Sequence, residues 1–200
     1  TIFEIIDAAW IGNVAMLNAV NDGVVVIPML HARDEDSLIF HGANSSRLMS
    51  YLSSGQAVCV SFAMVDGLVL AKSLFHHSMN YRSAVVFGSG RLLDDEAEIL
   101  QALKVISDKV MPGRWDDARQ PNPKELSATA VVKIKIDSAS AKIRTGDPVD
   151  DDDDIDLPVW SGVIPINETI GAPIGDQTNN LEVPRYVEAF IQLSANGVKK

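Results

Sequence analysis

The sequence predicts a mainly β protein, a β-barrel carrying helices. Six or seven short apolar segments are separated by Gly, Asp and Asn turns, which suits a mostly antiparallel sheet. One interior segment alone, after Asp94, has the spacing of a helix of about four turns. The chain has 200 residues and is 46 % hydrophobic, enough for one substantial core with a C-terminal extension.

Taken in order, Ile2, Ile5, Ile6, Ala9 and Trp10 recur at helical spacing and predict an amphipathic helix ending before Gly12 and Asn13. Val14 to Val20 and Val24 to Arg33 flank Asn21-Asp22-Gly23, where positive φ angles favour a tight hairpin. Ser37 to His41 is a third strand, and Arg47 to Leu52 a short helix ending near Ser54 and Gly55. Ala57 to Val65 and Leu68 to Lys72 read as a strand pair about Asp66 and Gly67. Tyr81 to Leu93 is a long strand whose Gly88 and Gly90 predict a bulge or barrel-corner bend.

Asp94-Asp95-Glu96 places acid in the first turn of the long helix, and Lys104 and Lys109 come late in it, as the helix dipole prefers. Ile99, Leu100, Leu103 and Ile106 share one face. Met111 to Pro123 reads as a Pro-rich loop, and Ala130 to Ile136 as a strand alternating Val132, Ile134 and Ile136 with Lys133 and Lys135. From Gly146 to Pro184 turn residues dominate, and Tyr186 to Ala195 predicts a terminal helix.

Composition excludes several classes of function. The net charge is −10, with acid concentrated in Asp150 to Asp154 and Asp156, so the chain lacks the clustered cations of a nucleic-acid surface. The acidic run lacks the ligand alternation and turn Gly of a calcium loop and reads as solvated. Apolar runs such as Val24 to Met29 stop far short of the roughly 20 residues of a membrane span. The first residues have neither the basic region nor the apolar stretch of an export signal. Cys59 is the single cysteine, inside an apolar run, so no internal disulfide forms and a reducing cytoplasm is the expected compartment.

Three segments could carry chemistry. Val26-Ile27-Pro28-Met29 is the first. In the second, His41-Gly42-Ala43-Asn44-Ser45-Ser46-Arg47, a turn leads into a helix start where backbone N–H groups favour an anion, so the segment is either a phosphate seat or an ordinary Ser cap beside a solvated Arg. The third is His76 to Gly88. Arg82 and Ser83 open its apolar strand, where an Arg either pairs with a carboxylate or holds a phosphate. His76 and His77 are adjacent on an extended chain and point opposite ways, which disfavours a shared metal ion. No dinucleotide glycine motif, Walker loop, nucleophile elbow or paired-Cys site occurs.

The ordered series Phe40-His41-Gly42-Ala43-Asn44-Ser45-Ser46-Arg47, then Asn80-Tyr81-Arg82-Ser83-Ala84-Val85-Val86-Phe87-Gly88, then Trp160-Ser161-Gly162-Val163-Ile164-Pro165, resembles the flavin-nucleotide-binding branch of the pyridoxamine 5′-phosphate oxidase superfamily, which includes nitroimidazole-resistance flavoproteins. The resemblance implies a six-stranded antiparallel split β-barrel over residues 1–165, an extension over 166–200, and a homodimer with FMN at the subunit interface. Position by position, Ile27, Pro28 and Met29 resemble the strand along the isoalloxazine edge, and His41, Gly42, Ala43 and Asn44 the loop facing ring and ribityl chain. Ser46 and Arg47 resemble the phosphate-holding pair, Lys72 and Ser73 a second basic contact, and Tyr81, Arg82 and Ser83 the strand beside the flavin. Trp160 resembles a late aromatic that approaches the flavin from the other subunit. A dianionic FMN phosphate on a chain of net −10 needs local cations, and Arg47, Lys72 and Arg82 fall where the motif puts them.

The oxidase that names the superfamily ends in a Trp-x-Arg-type segment, whereas this chain has Tyr186-Val187-Glu188-Ala189-Phe190, so pyridoxamine-phosphate oxidation is not the expected activity. His41 matches a His of the nitroimidazole-resistance relatives. The expected activity is therefore flavin-dependent reduction of a small molecule, with His41 orienting or protonating the acceptor and a nicotinamide or protein as donor. A flavin-binding module without turnover is the other reading, and a relative holding haem or a deazaflavin the third.

Overall fold

The computed structural model describes residues 1–17, 23–178 and 181–195. The chain begins with α1 (Ile2–Ala8), β1 (Ile11–Leu17), β2 (Val24–Leu30), β3 (Ala32–Asp34), β4 (Ser37–Ala43), α2 (Arg47–Ser53) and β5 (Ala57–Leu70). It continues through β6 (Ser78–Leu92), α3 (Glu96–Val110), α4 (Arg114–Asp117), α5 (Pro123–Ala128), β7 (Thr129–Arg144), β8 (Gly162–Pro165) and α6 (Arg185–Ala195). All the strands lie in one antiparallel sheet ordered β2-β1-β5-β6-β7-β4-β3, with β8 added to β5. Six strands have 7 to 16 residues, as the split barrel requires, while β3 and β8 add only three and four at the margins.

The curl of this sheet follows from its connectivity. Strands β2 and β3 stand at opposite ends of the strand order, yet only His31 separates them in sequence. The sheet must therefore bend until its margins nearly meet. Inside the bend, alternate residues Val58, Val60 and Phe62 of β5, Ala84 and Val86 of β6 and Leu38 and Phe40 of β4 form the core, capped by Ile5 and Ile6 of α1 and Leu48, Met49 and Leu52 of α2. Burying these side chains is the main favourable term, at ~25 cal/mol per Å² of apolar surface. His31 is only 1 % exposed, and its Nε2–H donates to the Ile6 carbonyl at 3.0 Å, tying α1 to the seam.

Helix α3 is capped by Asp95, whose carboxylate accepts from the Glu98 N–H, and it lays Ala102 and Ile106 over Ile39, Leu93 and Val131 on the outside of the barrel. The bend in β6 comes where its register against β7 shifts, between Phe87 and Gly88. A side chain at Gly88 would overlap the Lys135 carbonyl, and one at Gly90 the Leu52 carbonyl, so both glycines serve close backbone approach.

Some sequence expectations need revision. The anticipated strand pair about Asp66 and Gly67 is one continuous strand, β5, with a register shift between Val65 and Gly67, because β6 pairs with it on both sides of the irregularity. The first hairpin forms, although its expected turn at Asn21 and Asp22 lies outside the described residues. Met111 to Pro123 holds the short α4, and β7 runs on to Arg144 rather than stopping at Ile136. Among the described residues no helix is long and apolar enough to cross a membrane.

Candidate functional site

Strand β2 forms one margin of the main strand order, and there Pro28, lacking an N–H, is tolerated opposite Asn13. Ile27 and Met29 pack on the core, leaving Pro28 exposed on the outer face. At the other side, β4 pairs His41 with Val131 and Gly42 with Ala130, then turns through Ala43 and Asn44. The Asn44 N–H donates to Ala128 at 3.0 Å and its side-chain amide to the Ser127 carbonyl, pinning this loop to α5. The Ser46 hydroxyl caps α2 by accepting from the Met49 N–H at 3.5 Å. Arg47 is exposed and has no ion-pair or hydrogen-bond partner among the described residues.

The other two expected cations are engaged. Lys72 donates its ammonium to the Ile155 and Leu157 carbonyls, and its N–H to Asp150 at 2.7 Å, so the acidic segment folds back on the end of β5. Ser73 accepts from the Phe75 N–H at 3.2 Å and starts a single turn carrying Leu74 and Phe75, which are 85 % and 88 % exposed. Arg82 grips Asp66, and these carboxylate hydrogen bonds raise its pKa further. Ser83 donates to Lys142 at 3.3 Å, and Tyr81 lies under the Lys142 ammonium at 6.0 Å. Trp160 is 65 % exposed, and its ring lies where a side chain at Gly162 would stand.

The outer face of the long strands carries mostly small side chains. Cys59, Phe87 and Ser138 stand in one row, Ser61, Val85 and Ser140 in the next, and Ala63, Ser83 and Lys142 in a third. Val24, Val26 and Leu17 continue this face as exposed apolar residues. A sheet face of this kind, with small and weakly polar side chains, suits burial against another surface.

Of the expected site residues, His41 alone among the described residues lines either of two surface cavities. That cavity, of about 380 Å³, lies between β4 and helices α3, α4 and α5. Leu103, Ile106, Trp115, Pro121 and Leu126 form its apolar walls. At its rim Arg119 makes a two-armed pair with Glu125, at 2.6 and 3.0 Å, and this pair with the Asn122 N–H holds the Glu125 carboxyl down at about 2. Burial pushes the His41 imidazole below its usual pKa, and its Nδ1 is buried with no partner. The second cavity, of about 360 Å³, lies against the Cys59–Phe87 row, and burial there pushes the Cys59 thiol pKa up.

The sequence matches the family described as pyridoxamine 5′-phosphate oxidase over residues 1–143. The chain belongs to this family. A comparison with curated proteins found no match. Among solved structures, the flavocytochrome Anf3 from Azotobacter vinelandii is similar at 34 % identity and TM-score 0.87, covering 94 % of this chain and 87 % of that one. An FAD- and haem-binding protein from Mycobacterium smegmatis is similar at 32 % identity and TM-score 0.88, covering 93 % and 91 %. A protein named for 5-nitroimidazole antibiotic resistance, from Bacteroides thetaiotaomicron, shares the fold at 22 % identity and TM-score 0.59, covering 70 % and 80 %.

For this pyridoxamine-phosphate-oxidase-family chain, sequence reasoning missed Trp115, Arg119 and Glu125. One signal was present: Asn122-Pro123-Lys124-Glu125 is a capping box with Pro at the first turn, and it forms as such at the start of α5. Reading it would have put a helix between the expected loop, which ends at Pro123, and the expected strand from Ala130, and closed the wall opposite His41.

Proposed function

We propose that this chain is a flavin-dependent oxidoreductase of a small molecule, working as a homodimer with the flavin at the subunit interface. Family membership and two relatives above 30 % identity, one named a flavocytochrome and one FAD- and haem-binding, support the flavin. The observation that carries the reading is the contrast among the cations: Lys72 and Arg82 are held within the chain, while Arg47 stands unpartnered beside Ser46. Arg47 would then take the flavin phosphate, and Lys72 and Arg82 would fix the shape of the surrounding walls. The backbone of Ile27 to Met29 would lie along the ring edge, and the backbone of His41 to Asn44 would face ring and ribityl chain, with the His41 side chain directed to the outer side of β4.

When bound, the flavin supplies hydride and electron transfer, and the chain binds, orients and shields it. FMN is the expected form, and FAD, which one relative is named for, contains the same phosphate and ring. The small-residue sheet face supports the homodimer, as does the exposure of Leu74, Phe75 and Trp160.

His76 favours an additional haem, the group named for the Mycobacterium smegmatis relative. Its Nε2 lies 3.1 Å from the Asp151 carboxylate, the kind of partner that orients a metal-ligating His, and Leu74 and Phe75 beside it are uncovered apolar surface. The His31 ring is locked in the core by Ile6, and His77 Nε2 is engaged by the Ala71 carbonyl at 3.2 Å.

The experiment is to purify the protein, record its visible spectrum, identify the released flavin as FMN or FAD, and follow NADH and NADPH oxidation with nitro, quinone and pyridoxine-phosphate acceptors. A yellow protein with acceptor-dependent turnover is expected. A colourless chain that takes up neither flavin overturns the reading, and a yellow, inert one reassigns it as a flavin-binding module. A Soret band that His76→Ala abolishes is the expected mark of haem.

A further inference from the structure

The side chain of His41 is turned away from the barrel core. On β4, Leu38 and Phe40 point inward, whereas Ile39 packs beneath α3 with Ala102 and Ile106, and His41, two residues on, shares that outer side. We propose that the cavity there binds a small, neutral aromatic molecule bearing one oxygen that accepts a hydrogen bond from His41 Nε2–H. This concerns binding alone and stands whether or not the flavin reading holds.

Tautomer selection carries the first step. A proton on Nδ1 would leave a donor buried without an acceptor, since Nδ1 is enclosed and unpartnered. The proton therefore resides on Nε2, the ring nitrogen left to the cavity that His41 lines. Burial opposes a second proton, so the ring stays neutral and acts as a single donor. The same preference weighs against an iron ligand here, because binding through Nε2 would force the proton onto Nδ1.

Charge decides the second step. Arg119 is the cation at the rim, and its two-armed pair with Glu125 compensates it. An anionic ligand would have to break that pair, and a cationic one would face Arg119. A neutral ligand does neither. The third step is shape: about 380 Å³ is at the small end of ligand cavities, and Trp115, Leu103, Ile106 and Leu126 favour a flat apolar body.

The test uses the full chain with Trp10→Phe and Trp160→Phe, so that quenching reports Trp115, and three probes of one shape: 2-acetylnaphthalene, naphthalene and 2-naphthoate. The ketone should bind about tenfold more tightly than naphthalene, the worth of one net hydrogen bond, and at least as far ahead of the anion. His41→Phe should bring ketone and naphthalene within about twofold of each other. Leu103→Phe, which narrows the cavity from the opposite wall without adding an indole, should weaken quenching by all three while the circular dichroism stays native. Equal binding of ketone and naphthalene, tightest binding of the anion, or no quenching by any probe would overturn the proposal. So would release of flavin by the ketone, read from flavin absorption in the same samples, because that would make the cavity the flavin's own.

Discussion

Arg82 holds Asp66 by two parallel hydrogen bonds, Nε to Oδ2 at 2.8 Å and Nη2 to Oδ1 at 2.6 Å, across the irregularity that bends β5. Both side chains are about three-quarters covered, at 23 % and 26 % exposure. Such a pair lies between a surface bridge and a buried one, so Arg82→Ala should lower unfolding stability by about 1–2 kcal/mol. Asp66→Ala should cost about the same, and the double variant less than the sum, because each single change strands the other partner. Urea denaturation of the four proteins measures the coupling; strict additivity would mean that the pair does not brace the bend.

This pair also marks where the sequence stops being legible. Local spacing is enough to foresee α3, the β1–β2 pairing and the irregularity at Gly88, because periodicity, capping and glycine tolerance are properties of neighbours in sequence. Whether Arg82 faces a carboxylate or a phosphate depends on Asp66, which reaches it only once β5 and β6 pair. Asp66-Gly67 looks like a turn in isolation, and it is the tertiary pairing on both sides that makes it a bulge. The family resemblance identified a flavin-binding lineage, but it could not tell that Arg47 alone among the three expected cations is unpartnered, nor that His41 opens on a cavity walled by α5.

Arg47 gives the sharpest separation of binding from folding. Its side chain is exposed and holds no partner among the described residues, so Arg47→Ala should leave the thermal midpoint within about 1 °C, as neutral surface changes do. Loss of a charge-assisted contact to phosphate should meanwhile weaken flavin binding by roughly 10- to 100-fold. Titration of the flavin-free protein with FMN and FAD, beside a melting curve, tests both halves; unchanged flavin affinity would remove Arg47 from the site.

Gly90 is a packing constraint of the backbone itself. Any Cβ there would run into the Leu52 carbonyl oxygen and the Val132 side chain, where α2 crosses β6. Gly90→Ala should destabilise the fold by about 2–4 kcal/mol, since the Leu52 carbonyl and the strand must separate to admit the methyl group. Gly171→Ala, where nothing stands within 4 Å, is the matched control and should be nearly silent. Chemical denaturation of both distinguishes them, and equal midpoints would show that α2 moves away without cost.

His31 makes stability depend on pH in a definite direction. Its ring is enclosed among α1, Phe62 at 4.7 Å and the seam between β2 and β3, and burial pushes its pKa from 6.5 to about 4. Between those two values the unfolded chain binds a proton that the folded chain refuses, so stability is full above pH 6.5, falls as the pH drops toward 4, and loses nothing further to this group below that. The difference of 2.5 pH units corresponds to a loss on the order of 3 kcal/mol. His31→Gln keeps a donor for the Ile6 carbonyl but cannot titrate, so its urea midpoint should decline less than the wild type's between pH 7 and pH 4, even though it starts lower. Parallel declines would assign the acid sensitivity to the carboxylates, and the seam would then carry no proton-linked term.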